Sequence, residues 1–222
     1  MSKPYFRQVP NFDYVSRNAE EKNISDYIEV KNLFKRGKLR EDIFGNLSFF
    51  TKYDIIGDER PDNVAYKNYN DPTLDWVVLL ANNILNIQSE WPKTQQVFDK
   101  YVLEKYGDYE TLYSGIHHYE SREIKNSIGI TLIPAGLEVD ANYSITYYDN
   151  GGENIVSDVA QPVTNYDYEN KIENDKRHIY ILKPQYLNVV FNDLDSIMPY
   201  KKGGAQYVNS TLKKGDNIRL YE

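Results

Sequence analysis

The sequence predicts an α+β fold, with a β-α-α-β unit in its N-terminal half and β-hairpins plus an amphipathic helix in its C-terminal half. Three stretches carry that prediction. From Tyr53 to Asn86, turn, cap and helix signals follow one another without a gap. From Ile128 onward, β-branched and aromatic runs alternate with turn residues. From Pro184 to Met198, apolar residues recur at helical spacing.

The central unit is read as follows. Tyr53 to Ile56 is a short aromatic and β-branched strand that stops at the Gly57-Asp58 turn. Asp58 is expected to cap a brief helix, with Pro61 in its first turn and Asp62 at the positive end of its dipole. Val64, Ala65 and Asn68 share one face of it. After Tyr69, Asn70 takes the left-handed conformation that ends the helix. Asp71-Pro72 restarts the chain as a cap followed by proline at the first helical position. Leu74, Val77, Val78 and Ala81 then form a stripe widened by Trp76 and Leu80. Asn82-Asn83 ends this helix, and Ile84, Leu85 and Ile87 are expected to return as a second strand. About 35 residues hold little core, so the unit needs neighbours.

Around it, residues 1–23 read as an extended arm with Pro4, Pro10, Tyr5, Phe6, Phe12 and Tyr14 and no helical period. Such an arm is expected to lie on a partner. Ile24 to Phe50 reads as strand and short helix interrupted by Gly37 and Gly45; its basic run from Lys35 to Arg40 is a solvated turn or a grip on an acidic neighbour. Trp91-Pro92 marks a boundary. A helix follows with Val97, Phe98, Tyr101 and Val102 on adjoining faces and Gly107 as its stop. His117 and His118, adjacent on a strand, are expected to point to opposite faces and to make poor joint metal ligands. Asn150-Gly151 and Asn174-Asp175 are turn signals, the second closing a hairpin from Val163 to Leu182. Leu187, Val190, Phe191, Leu194, Ile197 and Met198 form an unbroken helical stripe closed by Pro199. With a composition shift near residue 126, the domains are expected at 1–23, 24–126, 127–199 and, as a turn-rich tail, 200–222.

The order Gly57-Asp58, Val64-Ala65, Tyr69-Asn70, Asn83-Ile84 resembles the LysM module, with Asn70 in place of the usual turn glycine, a substitution that tolerates the same angles. The longer string RPDNVAYKNYNDPTLDWVVLLANN, followed by Trp91-Pro92, resembles the gene-53 product family, the baseplate wedge subunit of contractile-tailed, T-even-like bacteriophages. Weaker similarity extends through YFRQVPNFDYV and NDKRHIYILKPQYLNVVFNDL. The resemblance implies a structural subunit, six copies per baseplate, that joins inner wedge proteins to one another and to the central hub and tail tube. It implies a place in the virion tail after synthesis in the host cytoplasm. In that family the LysM-like unit is a protein-docking device; the competing reading is binding of peptidoglycan or chitin.

Composition bears on function chiefly by exclusion. The 222 residues contain no cysteine, which removes disulfides, thiolate metal sites and cysteine nucleophiles. A net charge of −7 argues against nonspecific nucleic-acid binding, which needs cations on phosphates. No apolar run approaches the ~18 residues of a membrane span, and the N-terminal sequence lacks the apolar core of a signal peptide. The Gly-x-Ser-x-Gly, Walker, dinucleotide and His-Glu-x-x-His patterns are absent, Gly57-Asp58 and Gly215-Asp216 are turns without phosphate-site glycines, and nothing selects two carboxylates as an acid and base pair. No enzyme, cofactor or metal is expected. The 21 tyrosines favour a chain rich in interfaces. The candidate module-defining or interface residues are therefore Gly57, Asp58, Pro61, Tyr69, Asp71, Pro72, Trp76 and Trp91 in and beside the central unit, and Tyr5, Phe6 and Phe12 in the arm.

Overall fold

The computed structural model of the chain describes residues 3–15, 27–149 and 151–215. Two compact units divide it, one formed by Met1–Glu90 with His178–Glu222 and one by Trp91–Arg177. The division falls at Trp91 and not near residue 126, which lies within the second unit.

The first unit begins with α1 (Tyr5–Gln8), β1 (Asn11–Val15), β2 (Tyr27–Lys31), α2 (Glu41–Phe44) and β3 (Phe50–Asp54). It continues through α3 (Pro61–Tyr69), α4 (Asp75–Ala81) and α5 (Ile87–Glu90). The second unit holds α6 (Gln95–Tyr106), α7 (Tyr109–Ser114), β4 (Ile116–Ser121), β5 (Ile124–Lys125), β6 (Thr131–Ile133) and β7 (Glu138–Val139). Then come β8 (Ile145–Asp149), β9 (Gly152–Val156), β10 (Ala160–Thr164) and α8 (Asn165–Asp175). The chain returns to the first unit with β11 (His178–Leu182), α9 (Leu187–Ile197), β12 (Tyr207–Asn209) and β13 (Leu212–Lys214).

A contiguous β-α-α-β unit is not formed: β3, α3 and α4 follow one another as expected, but the strand that pairs with β3 comes from elsewhere in the sequence. β3 pairs antiparallel with β11, from Phe50 opposite Leu182 to Asp54 opposite His178, so the whole second unit is inserted between the last helix and the strand that completes the sheet. Residues 84–87 cannot serve as that strand because their backbone is committed locally. Asn83, at φ 53°, reverses the chain. Its amide donates to the Leu80 carbonyl at 3.2 Å and that of Ile84 to Leu79 at 2.9 Å, the bond pair of a Schellman cap. Glu90 then accepts the amides of Leu85 and Asn86, at 2.5 and 2.9 Å. With those donors consumed, Ile87 starts a helix.

Helix α3 begins at Pro61 and, as expected, stops at Asn70 with φ 56° and ψ 21°, but Asp58 does not cap it. Its N-cap is Arg60, without a side-chain bond. Glu59 organises the turn instead, accepting the Tyr53 hydroxyl at 2.8 Å and the Ile56 amide at 3.3 Å and pairing with Lys67. The second start is the predicted one, Asp71 accepting the Thr73 amide at 2.9 Å ahead of Pro72.

The N-terminal arm is not unsupported. β1 is an interior strand of a four-stranded sheet in the order β12-β13-β1-β2, antiparallel to β2 and parallel to β13, and Val9 just before it is fully buried. Part of this support is strand pairing between the two ends of the sequence, which no local pattern announces. Residues 16–23 and 216–222, expected in the arm and the tail, lie outside the described residues.

In the second unit, Phe98, Val102 and Leu112 form a core joined by Tyr106 and Tyr166, and Ile124, Ile133 and Val159 form another joined by Ile145 and Val156. Helix α6 turns Phe98 and Val102 inward and leaves Val97 and Tyr101 exposed. β8 and β9 are a hairpin with Asp149 opposite Gly152; Asn150 lies outside the described residues. The expected hairpin from Val163 to Leu182 is absent. Its middle is α8, capped by Thr164, which accepts the Asp167 amide at 3.1 Å, and its two ends pair with β4 and β3 in different sheets. What buries α8 is its glutamates. Glu169 takes Lys105 and the Tyr106 hydroxyl, and Glu173 takes the Lys93 amide with the ammonium groups of Lys93 and Lys176.

His117 and His118 also depart from expectation. The β4–β10 register skips between Val163, opposite His118, and Thr164, opposite Ile116, and a bulge of this kind re-aims side chains. The two imidazoles meet Nδ1 to Nδ1 at 2.9 Å instead of diverging, His117 stacked on Tyr168 and His118 bonded to Glu120 at 3.2 Å.

Candidate functional site

Trp76 is the hinge of the candidate site. Helix α4 buries Val77, Val78 and Ala81 completely or nearly so and turns Trp76, 5% exposed, toward the N-terminal segment. Its indole N–H donates to the Lys3 carbonyl at 2.9 Å, and its ring lies 5.7 Å from that of Tyr5 and 6.1 Å from that of Phe191 on α9. Tyr5 in turn accepts the Gly37 amide at 2.8 Å through its hydroxyl and meets Phe6 edge to face. A Cβ on Gly37 would come within 2.8 Å of Leu194 Cδ1, so any side chain here would have to push the Leu194 methyl aside.

These contacts wall one side of an apolar groove of ≈ 640 Å³. Tyr5, Phe6, Pro72 and Trp76 line it together with Leu79, Leu80, Ile84 and Leu85, which the Schellman turn after α4 delivers. Leu33 stands on its lip beside Phe34, whose side chain is wholly exposed. Arg7, Lys35 and Arg36 also line the groove, against a single carboxylate, Asp75. Arg36 continues into an adjoining cavity with Lys38, Glu41 and Phe44.

Lys35 is both structural and electrostatic. Its ammonium donates to the carbonyls of Ile197, Met198 and Pro199 at 2.9–3.0 Å, capping α9. It lies 5.0 Å over the Tyr200 ring, with Lys213 5.1 Å from the same ring. Burial, then Lys213 and Lys201, lower its pKa. Asp75 is shifted upward by burial, opposed by the Trp76 amide.

The predicted residues thus separate into groups. Tyr5, Phe6, Pro72 and Trp76 come together at the groove. Asp71 and buried Pro61 shape helix starts, and Tyr69 ties α3 to β11 by donating its hydroxyl to the Leu182 carbonyl at 2.9 Å, with burial raising its pKa. Gly57, at φ +60°, and Asp58 make a turn. Phe12 sits half-buried on β1, apart from the groove-lining residues. Trp91 is buried but opens the second unit, so it is not part of the central one. Leu33, Phe34, Leu85 and Arg7 were not among the expected site residues, and Arg36 entered only through the basic run, expected as a solvated turn or a grip on an acidic neighbour; the Leu-Phe pair directly against that run was the signal.

Among the described residues no group of three or more His, Asp or Glu is placed to hold a metal ion, and no helix is long and apolar enough to cross a membrane. A family model described as base plate wedge protein 53 matches residues 6–197. A search among curated proteins returned no match.

Proposed function

Since the chain belongs to the base plate wedge protein 53 family and is accordingly a structural subunit of a phage tail baseplate, we propose that it works by joining inner wedge proteins to one another and to the central hub and tail tube. Six symmetric copies per baseplate belong to the same reading, taken from the family resemblance. Synthesis takes place in the host cytoplasm, and no catalytic step is involved. The observation that carries this reading is the match over residues 6–197, which takes in most of the groove-lining residues and the inserted second unit.

Large apolar side chains left at the surface support an assembly role, because patches of this kind on soluble proteins mark contact sites. Phe6, Leu33, Phe34 and Leu85 stand at the groove, and Tyr148 and Ile155 on the outer face of the β8–β9 hairpin. On this reading the β-α-α-β unit is a docking frame that holds Trp76 and Tyr5 rigid. Partial remodelling of such interfaces allows the plate to change shape as the sheath contracts.

The test is structural. Electron microscopy of intact tails of the phage that encodes the chain should trace it in each wedge in contact with inner wedge and hub proteins. Finding it absent from purified tails, or touching neither class, overturns the reading. A zymogram on peptidoglycan should show no clearing.

A further inference from the structure

We propose that the Trp76 groove receives an acidic segment of a neighbouring baseplate protein, its large apolar side chains entering between Phe6, Leu80 and Leu85 and its carboxylates meeting Arg7 and Arg36. The inference rests on the baseplate reading and adds the chemistry of the partner.

Two independent features of the groove point to such an occupant. Its walls are aliphatic and aromatic, and a wholly exposed Phe34 stands beside its lip with Leu33. A large exposed aromatic flanked by an apolar cleft is the usual composition of an energetic centre of association. The charge around it is opposite in sign to that of the molecule. The chain carries a net −7, yet the groove is lined by Arg7, Lys35 and Arg36 against Asp75 alone, with Lys201 and Lys213 close enough to Lys35 to act on it.

Most other cations in this part of the first unit are already engaged. Lys38 pairs with Glu41 at 3.0 Å, Arg40 with Asp42 and Asp193 at 3.3 and 3.4 Å, and Lys3 with Asp195. Arg36 meets the Asn83 amide oxygen at 3.5 Å and lies near enough to Glu90 to help lower its pKa, yet among the described residues neither Arg36 nor Arg7 is in an ion pair within 4.0 Å. Guanidinium groups left so beside an apolar cleft bind carboxylates in bidentate fashion. A basic partner would be repelled, and an uncharged one would leave the arginines unmatched.

The experiment uses the full chain and short fluorescein-labelled peptides read by anisotropy. One peptide alternates leucine and phenylalanine with glutamate; its controls replace glutamate by lysine, or leucine and phenylalanine by serine. The acidic apolar peptide should bind, more weakly as salt rises, and both controls should not. The double variant Arg7→Glu with Arg36→Glu, at exposed positions, should weaken binding by about tenfold or more, and Phe34→Ser should weaken it without altering the salt dependence. Equal binding of the lysine peptide, indifference to the double reversal, or no binding of any peptide overturns the proposal. A concentration-dependent rise in mass abolished by the double reversal assigns the groove to a second copy and also overturns it. Presence of the chain in tails is scored separately, so failure of the peptide arm leaves the baseplate reading standing.

Discussion

Asn82 holds Tyr180 by both of its backbone groups: the Tyr180 amide donates to Asn82 Oδ1 at 2.7 Å, and Asn82 Nδ2 donates to the Tyr180 carbonyl at 2.9 Å and to that of Val78 at 2.8 Å. One side chain at the end of α4 offers β11 the donor and acceptor that a third strand would offer. It joins segments 98 positions apart. Replacing Asn82 by alanine orphans both groups of Tyr180, so Asn82→Ala should cost about 2 kcal/mol in urea unfolding. Asn82→Asp should be no better, because its carboxylate would face two carbonyls. A wild-type midpoint for both variants contradicts the role given to this contact.

A second prediction concerns Gly37. The Cβ of Gly37→Ala meets Leu194 Cδ1 at 2.8 Å and Tyr5 Cε2 at 3.3 Å, and Tyr5 is what positions the Trp76 wall of the groove. Both obstacles are side-chain atoms, so the variant should fold, with a loss of about 1 kcal/mol. The displaced Tyr5 ring should change the near-ultraviolet circular dichroism. An unchanged aromatic spectrum shows that the approach is looser than drawn.

Asn70 gives a test of backbone conformation alone. At φ 56° it occupies the left-handed region, open to asparagine and glycine and costly for residues with a branched or apolar Cβ. Asn70→Gly should leave stability within about 0.5 kcal/mol, and Asn70→Ala should lower it by about 1 kcal/mol. Equal midpoints for the two variants would sink the claim that this φ constrains the α3–α4 corner.

These positions also explain what could be read from the sequence. Residues 61–81 were legible because every signal there acts within four positions: Pro61 at a first turn, Asn70 at a stop, Asp71-Pro72 at a start. The strand that pairs with β3 was not legible. β11 lies beyond the inserted second unit, and the clamp from Asn82 has no sequence signature. The helix at 165–175 was hidden for a related reason. Its tyrosines score as strand formers, and its buried residues are Glu169 and Glu173, whose partners Lys93 and Lys105 come from distant positions. At the groove, Tyr5, Phe6, Pro72 and Trp76 were nameable as aromatic or capping residues. Arg7 was not, and Arg36 was left open between a solvated turn and a grip on an acidic neighbour, because the two differ only in three dimensions.

The last prediction concerns acid. Burial by itself would raise the pKa of Glu173, but the Lys93 amide and the ammonium groups of Lys176 and Lys93 outweigh it and hold the carboxyl below its ordinary value of 4.5. A folded pKa below the unfolded one means that the charged form stabilises the fold. That contribution is complete above the ordinary carboxylate value and is lost as pH falls through the folded one. The wild-type chain should therefore lose stability on acidification below about pH 4.5. Glu59 and Glu120 are lowered in the same direction by their lysine partners, so the steepness of the wild-type curve alone does not single out Glu173. The difference between wild type and Glu173→Gln does, since every other carboxylate is common to both. The variant should be less stable at pH 7, where it lacks the ionic partner of Lys93 and Lys176. The gap should close as pH falls, because protonation brings the wild-type side chain to the same neutral state. A gap that stays constant from pH 7 to pH 3 would mean that the glutamate acts only by shape, and that the charge buried on α8 does not hold the loop at Lys93 in place.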